Sequence, residues 1–262
     1  MAARPVAGAA LVTGAARRLG REMALALAGR GIDVAIHYDR SAEDAETTAA
    51  AARGLGVRAQ VFQADLLDEA ATAALIPAVT AALGPLGVLV NNASIFEYDN
   101  LATATRESWD RHIGSNLRAP FVLTQGFAAQ APQAAVVDGE PQARALIVNI
   151  IDQRVLKPTP EFMTYSLAKA GLWALTRTSA QALAPRVRVN AIGPGPTMQG
   201  ARQTADHFAR QRAATILERG ADGGDIAAAL MYLLDARAVT GQLICVDGGQ
   251  HLGWRTPDVL GD

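Results

Sequence analysis

The sequence predicts an α/β fold: a single-domain, doubly wound arrangement on a seven-stranded parallel sheet. Three observations carry this expectation. Short apolar runs without polar alternation recur along the chain and fit strands buried on both faces. Between them lie longer segments of helical length, several of them rich in alanine and polar residues, so strand and helix alternate. A glycine-bearing turn, 14–20, joins the first apolar run to the first helix. With 262 residues the chain holds one such domain, residues 1–262, and is short for two with a linker.

Half of the residues are hydrophobic and 19% are charged, which marks a compact globular chain. The formal net charge is −1 and no basic block is present, so neither nucleic acid nor an anionic membrane is expected as a partner. The single Cys245 excludes an internal disulfide. Residues 1–8 carry one arginine and no long apolar run, so no signal peptide is expected. No apolar run reaches about 18 residues, and the expected location is cytoplasmic.

Ala9-Ala10-Leu11-Val12 reads as the first strand, running into Thr13-Gly14-Ala15-Ala16-Arg17-Arg18-Leu19-Gly20 and a helix through Glu22 to Arg30. Such a unit turns backbone N–H groups and the positive helix end toward a pyrophosphate, with Gly14 and Gly20 supplying the turn and the close approach. Arg18 stands where a middle glycine is expected, so the segment also reads as a plain strand-to-helix turn. Residues 32–37 give the second strand, followed by Tyr38-Asp39-Arg40-Ser41 and a helix over 42–55. An acid after this strand accepts from the ribose of NAD, whereas arginine accommodates the 2′-phosphate of NADP. Asp39 is the acid in place. Arg18, Arg40 and Ser41, converging with His37 on a phosphate, favour NADPH.

Residues 57–62 give the third strand, with Asp65 just past it as an adenine neighbour or a helix N-cap. After a helix over 68–83, residues 86–90 form the fourth strand, ending in Asn91-Asn92-Ala93-Ser94, whose small and amide side chains suit a flat cofactor. Phe96 follows, to stack on a planar substrate or to cap the core. Residues 105–129 read as one long helix carrying Asn116, an interior amide that needs a partner, whether water or backbone. Residues 131–144 read as a surface loop inserted before the next strand.

The apolar strand 145–151 delivers Asp152 to its C-terminal end, where doubly wound folds put ligands. The next helix carries Tyr165 and Lys169, four residues apart on one face. There the ammonium favours the ionised phenol and makes Tyr165 a proton donor near neutral pH, although the spacing alone also fits a solvated face. A sixth strand over 187–192 closes in Gly193-Pro194-Gly195-Pro196-Thr197, a rigid turn that suits a wall around the nicotinamide. Residues 197–220 read as a substrate lid, 225–236 as a helix and 241–246 as the seventh strand, before Asp247-Gly248-Gly249. Trp254 and Arg255 in the tail suit a subunit contact or packing on their own subunit.

Taken together, Thr13-Gly14 to Gly20, Asp65, Asn91-Asn92-Ala93, Asn116, Tyr165 with Lys169, Asn190, Pro194-Gly195 and Asp247-Gly248-Gly249 resemble the short-chain dehydrogenase/reductase family over nearly the whole chain. Within it the sequence looks most like the pteridine reductases. Arg18 replaces the middle glycine, His37 and Arg40-Ser41 follow the second strand, and Asn92-Ala93-Ser94 stands for Asn-Ala-Gly. Phe96 falls where those enzymes sandwich a pterin, Asp152 replaces the usual serine, and the insertion before the fifth strand is similar.

The resemblance implies an NADPH-dependent oxidoreductase and a homotetramer. It implies a cofactor site that includes Gly14, Arg17, Arg18, Leu19, Gly20, His37, Arg40, Ser41, Asp65 and Leu66. Asn92, Ala93, Ser94, Tyr165, Lys169, Pro194, Gly195 and Thr197 complete it. Arg18, Ser94, Phe96, Asp152 and Tyr165 would meet a planar heterocyclic substrate, and no metal is implied. Lys169 would hold the ribose and lower the Tyr165 pKa, Asn116 would support a water leading protons to Lys169, and Tyr165 would protonate the substrate. Asp152, raised in pKa by burial, would deliver the proton that a reduced C=N bond requires. A carbonyl reductase, such as one acting on 3-oxoacyl carriers, and a non-catalytic NADP(H)-binding regulator are the alternatives.

Overall fold

The computed structural model describes residues 6–200 and 203–255. Residues 201 and 202 of the expected lid and 256–262 of the tail lie outside the described residues.

Seven strands form one parallel sheet: β1 Ala9–Val12, β2 Val34–Tyr38, β3 Ala59–Gln63, β4 Leu86–Asn91, β7 Ala145–Ile150, β8 Val187–Pro194 and β9 Leu243–Val246. Their order is β3-β2-β1-β4-β7-β8-β9, so the winding reverses between β1 and β4. All six residues of β7 and all six of β4 are buried, which is why these strands are largely apolar, and the one amide in each, Asn91 and Asn149, is paired across the strands, Asn91 Nδ2 donating to Asn149 Oδ1 at 2.8 Å. Each Leu, Ile or Val so buried contributes roughly 1.5–3 kcal/mol of transfer free energy.

Two apolar layers sandwich the sheet. On one face α1 Arg18–Gly29, α2 Ala42–Gly54 and α8 Gly223–Asp235 bury Met23, Leu27, Ala49, Leu230 and Leu233. On the other, α3 Glu69–Leu83, α5 Ala119–Gln130 and α6 Met163–Leu183 enclose Leu75, Val79, Leu123, Phe127 and Ala180. The alanine bias has a local reason in α2, where Ala45, Ala49 and Ala52 bring the helix close enough for Thr48 Oγ1 to donate to Ala16 O at 2.9 Å.

Two expectations are corrected. The segment read as one long helix is α4 Arg106–Ile113, a widened turn Gly114–Arg118 and then α5. Pro120 has no N–H for the carbonyl four residues back, that of Asn116, and its ring crowds that carbonyl. The chain answers by widening, with Ala119 N donating to Gly114 O, five residues back. The stretch 131–144 is not a plain loop either. It contains an antiparallel hairpin, β5 Ala135–Val137 with β6 Glu140–Gln142, closed by Asp138-Gly139, both at positive φ (52° and 83°). Asp-Gly favours a turn of that hand.

The remaining helix, α7 Ala205–Ala213, has no buried residue and lies across the region expected to be a lid. Among the described residues no helix is long and apolar enough to cross a membrane.

Candidate active site

The C-terminal ends of β1, β4 and β7 and the loops that follow them border one cleft of about 770 Å³, at the point where the winding reverses. Its floor is the turn after β1. Thr13 Oγ1 accepts from Asn92 N and Ala93 N at 2.9 and 3.0 Å, and Asn92 Nδ2 donates to Thr13 O at 2.8 Å. Gly14 sits at φ +62°, and a Cβ on Gly20 would come within 2.3 Å of Gly14 O, so helix and turn close together only with glycine there. The N-terminus of α1 opens on this cleft with no acidic residue in its first turn and no side-chain cap.

His37 takes a different role from the one expected. It is buried, its Nδ1 accepts from Gly14 N at 3.0 Å and its Nε2 lies 3.1 Å from Ala64 O. With both ring nitrogens engaged it braces the turn instead of facing a phosphate, and burial lowers its pKa and keeps the ring neutral. Arg17 and Arg40 stand exposed at the rim, paired with Asp44 at 3.5 Å and Asp39 at 3.3 Å. Ser41 and Leu66 border the cleft beside them, and Asp65 accepts from Leu67 N at 2.9 Å, while Asp68 caps α3.

Arg18 explains its own departure from glycine. Its backbone is left-handed, φ +54°, and its guanidinium donates to Met198 O at 3.1 Å and Gln199 O at 2.9 Å across the cleft mouth. The side chain thus ties α1 to the segment leading into α7. Opposite, Gly195 packs so tightly that a Cβ would lie 2.5 Å from Asp247 Cβ, and Thr197 Oγ1 donates to Gly195 O at 3.0 Å, which fixes the Pro194–Thr197 wall.

Tyr165 and Asp152 meet at the centre. Tyr165 Oη donates to Asp152 Oδ2 at 2.9 Å, and Asp152 Oδ1 accepts from Arg154 N at 2.9 Å. Burial raises the Asp152 carboxyl above the usual range, against the stabilising Arg154 N–H and charge. The Tyr165 phenol is raised well above its ordinary value by burial and by the neighbouring carboxylate. This corrects the expectation of a tyrosine made acidic by lysine. Lys169 Nζ donates to Ile150 O at 2.8 Å, lies 5.7 Å from the Tyr165 ring centre, and is itself lowered to about 8 by burial. Asn116 uses its amide on backbone, accepting from Ile95 N at 2.9 Å and donating to Ile95 O at 2.8 Å.

Phe96, beside Ser94 on the cleft wall, stacks on Phe162 with ring centres 4.4 Å apart and 13° between planes, and meets Tyr165 edge-on at 4.7 Å. Arg154 lies 5.0 Å from the Phe162 ring centre. Phe162 and Arg154 escape sequence reasoning. Phe162 holds φ +55° at the start of α6, a conformation no composition rule assigns to a phenylalanine. Its signal was an aromatic shortly ahead of Tyr165. Among the described residues no cluster of His, Cys, Asp or Glu could hold a metal ion.

A doubly wound sheet with a glycine turn at its switch point and a tyrosine, a lysine and a carboxyl gathered beside it defines a dinucleotide-type oxidoreductase. A family model described as enoyl-(acyl carrier protein) reductase matches residues 14–251. Among solved structures, FolM alternative dihydrofolate reductase 1 from Brucella suis, in complex with NADP, is 43% identical, with a TM-score of 0.88 over 96% of this chain and 98% of that one. A short-chain type dehydrogenase/reductase from Picea abies is 31% identical over 92% of this chain and 91% of its own length. The 3-oxoacyl-(acyl-carrier-protein) reductase FabG of Staphylococcus aureus is 34% identical over 93% of this chain and 98% of its own. The chain belongs to the short-chain dehydrogenase/reductase family.

Proposed function

We propose that this protein is an NADPH-dependent reductase of a C=N bond in a planar, pterin-like ring. The observation that carries the reading is Asp152, a half-buried carboxyl at hydrogen-bond distance from Tyr165. Reduction of a ketone builds negative charge on oxygen, which an ionised carboxylate opposes. Reduction of a C=N bond leaves a nitrogen that must take a proton, and a carboxyl of raised pKa can hold one for it. The likeness to FolM alternative dihydrofolate reductase 1 supports a pterin-type ring.

The residues fit the cofactor. Gly14, Leu19, Gly20 and the uncapped start of α1 would take the pyrophosphate, and Arg17, Arg40 and Ser41 the 2′-phosphate side. Asp65 and Leu66 would border the adenine; Asn92, Ala93, Ser94, Pro194, Gly195 and Thr197 would wall the nicotinamide, and Lys169 would hold its ribose. When bound, NADPH supplies the hydride. Asp152 holds the proton and Tyr165 Oη orients it, Arg18 keeps Met198 and Gln199 over the mouth, and Phe96 offers an aromatic face to the ring. Residues 197–220 would act as the lid and water would leave as they close. A homotetramer belongs to the same proposal, with the hollow lined by Phe121 and Leu175 on α5 and α6 as support and sedimentation as its measurement.

Steady-state NADPH oxidation with dihydrofolate, dihydrobiopterin and dihydromonapterin tests the reading. Turnover of a 3-oxoacyl thioester with none of the three overturns it. The similarity to FabG favours a second reading, carbonyl reduction with Asp152 placing a water. Asp152→Ser separates them: the C=N reading expects a large loss with the pterin, the carbonyl reading equal or faster ketone reduction.

A further inference from the structure

His112 has no part in the roles given above, yet it is fully buried in α4, one helical turn before Asn116. The two side chains reach the same loop. Asn116 holds Ile95 through both of its backbone groups, and His112 Nε2 accepts from Glu97 N at 3.1 Å. The residue between these two clamps is Phe96.

The other ring nitrogen points the opposite way, to the helix that carries Tyr165. His112 Nδ1 lies 2.7 Å from Thr164 Oγ1. Thr164 Oγ1 in turn donates to Asp99 Oδ2, while Thr164 N donates to Asp99 Oδ1 at 3.1 Å. Ser108 Oγ adds a third donor to Asp99 at 2.9 Å. Counting protons assigns the tautomer: Nε2 must be bare to accept from an amide, so Nδ1 carries the hydrogen and donates to Thr164. Burial alone would raise the Asp99 carboxyl, but the bonds from Thr164 and Ser108 outweigh it and hold it below the usual range. Burial pushes His112 below its ordinary value, against the pull of Asp99 and Glu97, and the neutral ring that the bonding pattern requires is thereby favoured.

We propose that His112 is a positioning residue that, through Glu97 N on one side and Thr164 and Asp99 on the other, fixes the Phe96 ring edge-on to the Tyr165 ring and so sets how a flat substrate meets the proton-holding pair. The proposal rests on the reading that Phe96 and Tyr165 face the substrate. Groups facing His112 are Glu97 and Asp99 from the 95–100 loop, Ser108 and Arg111 from its own helix, and Thr164 and Tyr165 from α6. Protonation puts a hydrogen on Nε2, which can then no longer accept from Glu97 N, and one clamp on Phe96 opens as pH falls through the lowered histidine value.

Two variants test this. His112→Gln keeps one donor and one acceptor and does not titrate, whereas His112→Phe fills the space and keeps neither. Each is assayed for kcat and KM with NADPH and dihydrofolate from about pH 5 to about pH 9, with hydrogen exchange followed in peptides covering 95–99 and 163–166. Relative to wild type, His112→Phe is expected to raise KM by about tenfold with a smaller fall in kcat. Both segments should then exchange faster, although the substitution removes only one bond to each. His112→Gln should bring KM back to within about threefold and abolish the acid-side rise of KM. The proposal is overturned by unchanged KM and exchange in His112→Phe, by faster exchange in 163–166 alone, or by His112→Gln behaving like His112→Phe. If His112→Phe does not fold, Thr164→Val carries the same expectations from the other end of the relay. If the wild type reduces no dihydrofolate or dihydropterin, the proposed function fails, and the exchange of the two segments alone decides the relay.

Discussion

Tyr165 gives its hydroxyl hydrogen to Asp152 at 2.9 Å; Tyr165 is buried, Asp152 half-buried, and both are raised in pKa. The phenol, raised from an already higher ordinary value, is the poorer acid of the two, so the carboxyl is the group that loses its proton first as pH rises. The kcat/KM for a C=N substrate should fall as pH rises through the raised Asp152 value, because the proton to be delivered is lost there. In Asp152→Asn that limb should disappear and the rate drop by about 10²–10⁴-fold. A pH profile of both proteins reads the outcome.

Lys169 makes a separate prediction about stability. Its folded pKa of about 8 lies below the 10.5 of the free side chain, so between these values the unfolded chain binds a proton that the folded one does not. Unfolding free energy should rise with pH across this window, by up to about 3 kcal/mol from this group. Urea titrations at intervals through the window should show the slope in wild type, and Lys169→Met should flatten it.

Arg18 combines a backbone cost with a side-chain tie. Arg18→Gly should relieve a left-handed conformation worth roughly 1 kcal/mol, raising the urea midpoint, while releasing the carbonyls of Met198 and Gln199. The same variant should therefore be more stable yet bind NADPH more weakly, as read by cofactor fluorescence. A loss of stability would show that the tie outweighs the strain.

Phe162 supports Phe96 from behind. Phe162→Ala removes the 4.4 Å stack and leaves a hollow under the ring, and should raise KM for a ring substrate by about tenfold, on the basis of about 0.5–1.5 kcal/mol for the aromatic pair plus lost burial. The KM for NADPH should stay unchanged. Equal changes in both would point to a general disturbance of α6.

The sheet was legible in the sequence because a strand buried on both faces is mostly apolar, as 145–150 is apart from Asn149, and the pairing of Tyr165 with Lys169 on one face was legible because it follows from helix geometry alone. The widened turn at Gly114–Arg118 was also written there, in Pro120, but its effect falls on a carbonyl four residues away and is easily passed over. Other features depended on distant partners. His37 looked like a phosphate ligand until Gly14 and Ala64 were found to occupy its two nitrogens. The acidity expected of Tyr165 assumed that lysine would decide it, whereas burial and Asp152 outweigh that effect. The partners of Asn116 and His112 lie in a loop that ordinary spacing rules do not place.

The Asp138-Gly139 hairpin leads into the beginning of β7, and the same strand delivers Asp152 beyond its far end. One strand thus separates an exposed turn from the residue on which the proposed chemistry rests. An insertion at the exposed hairpin tip would be absorbed a six-residue strand away from the carboxyl, so the outline of the molecule there could change while the geometry around Asp152 stayed as it is.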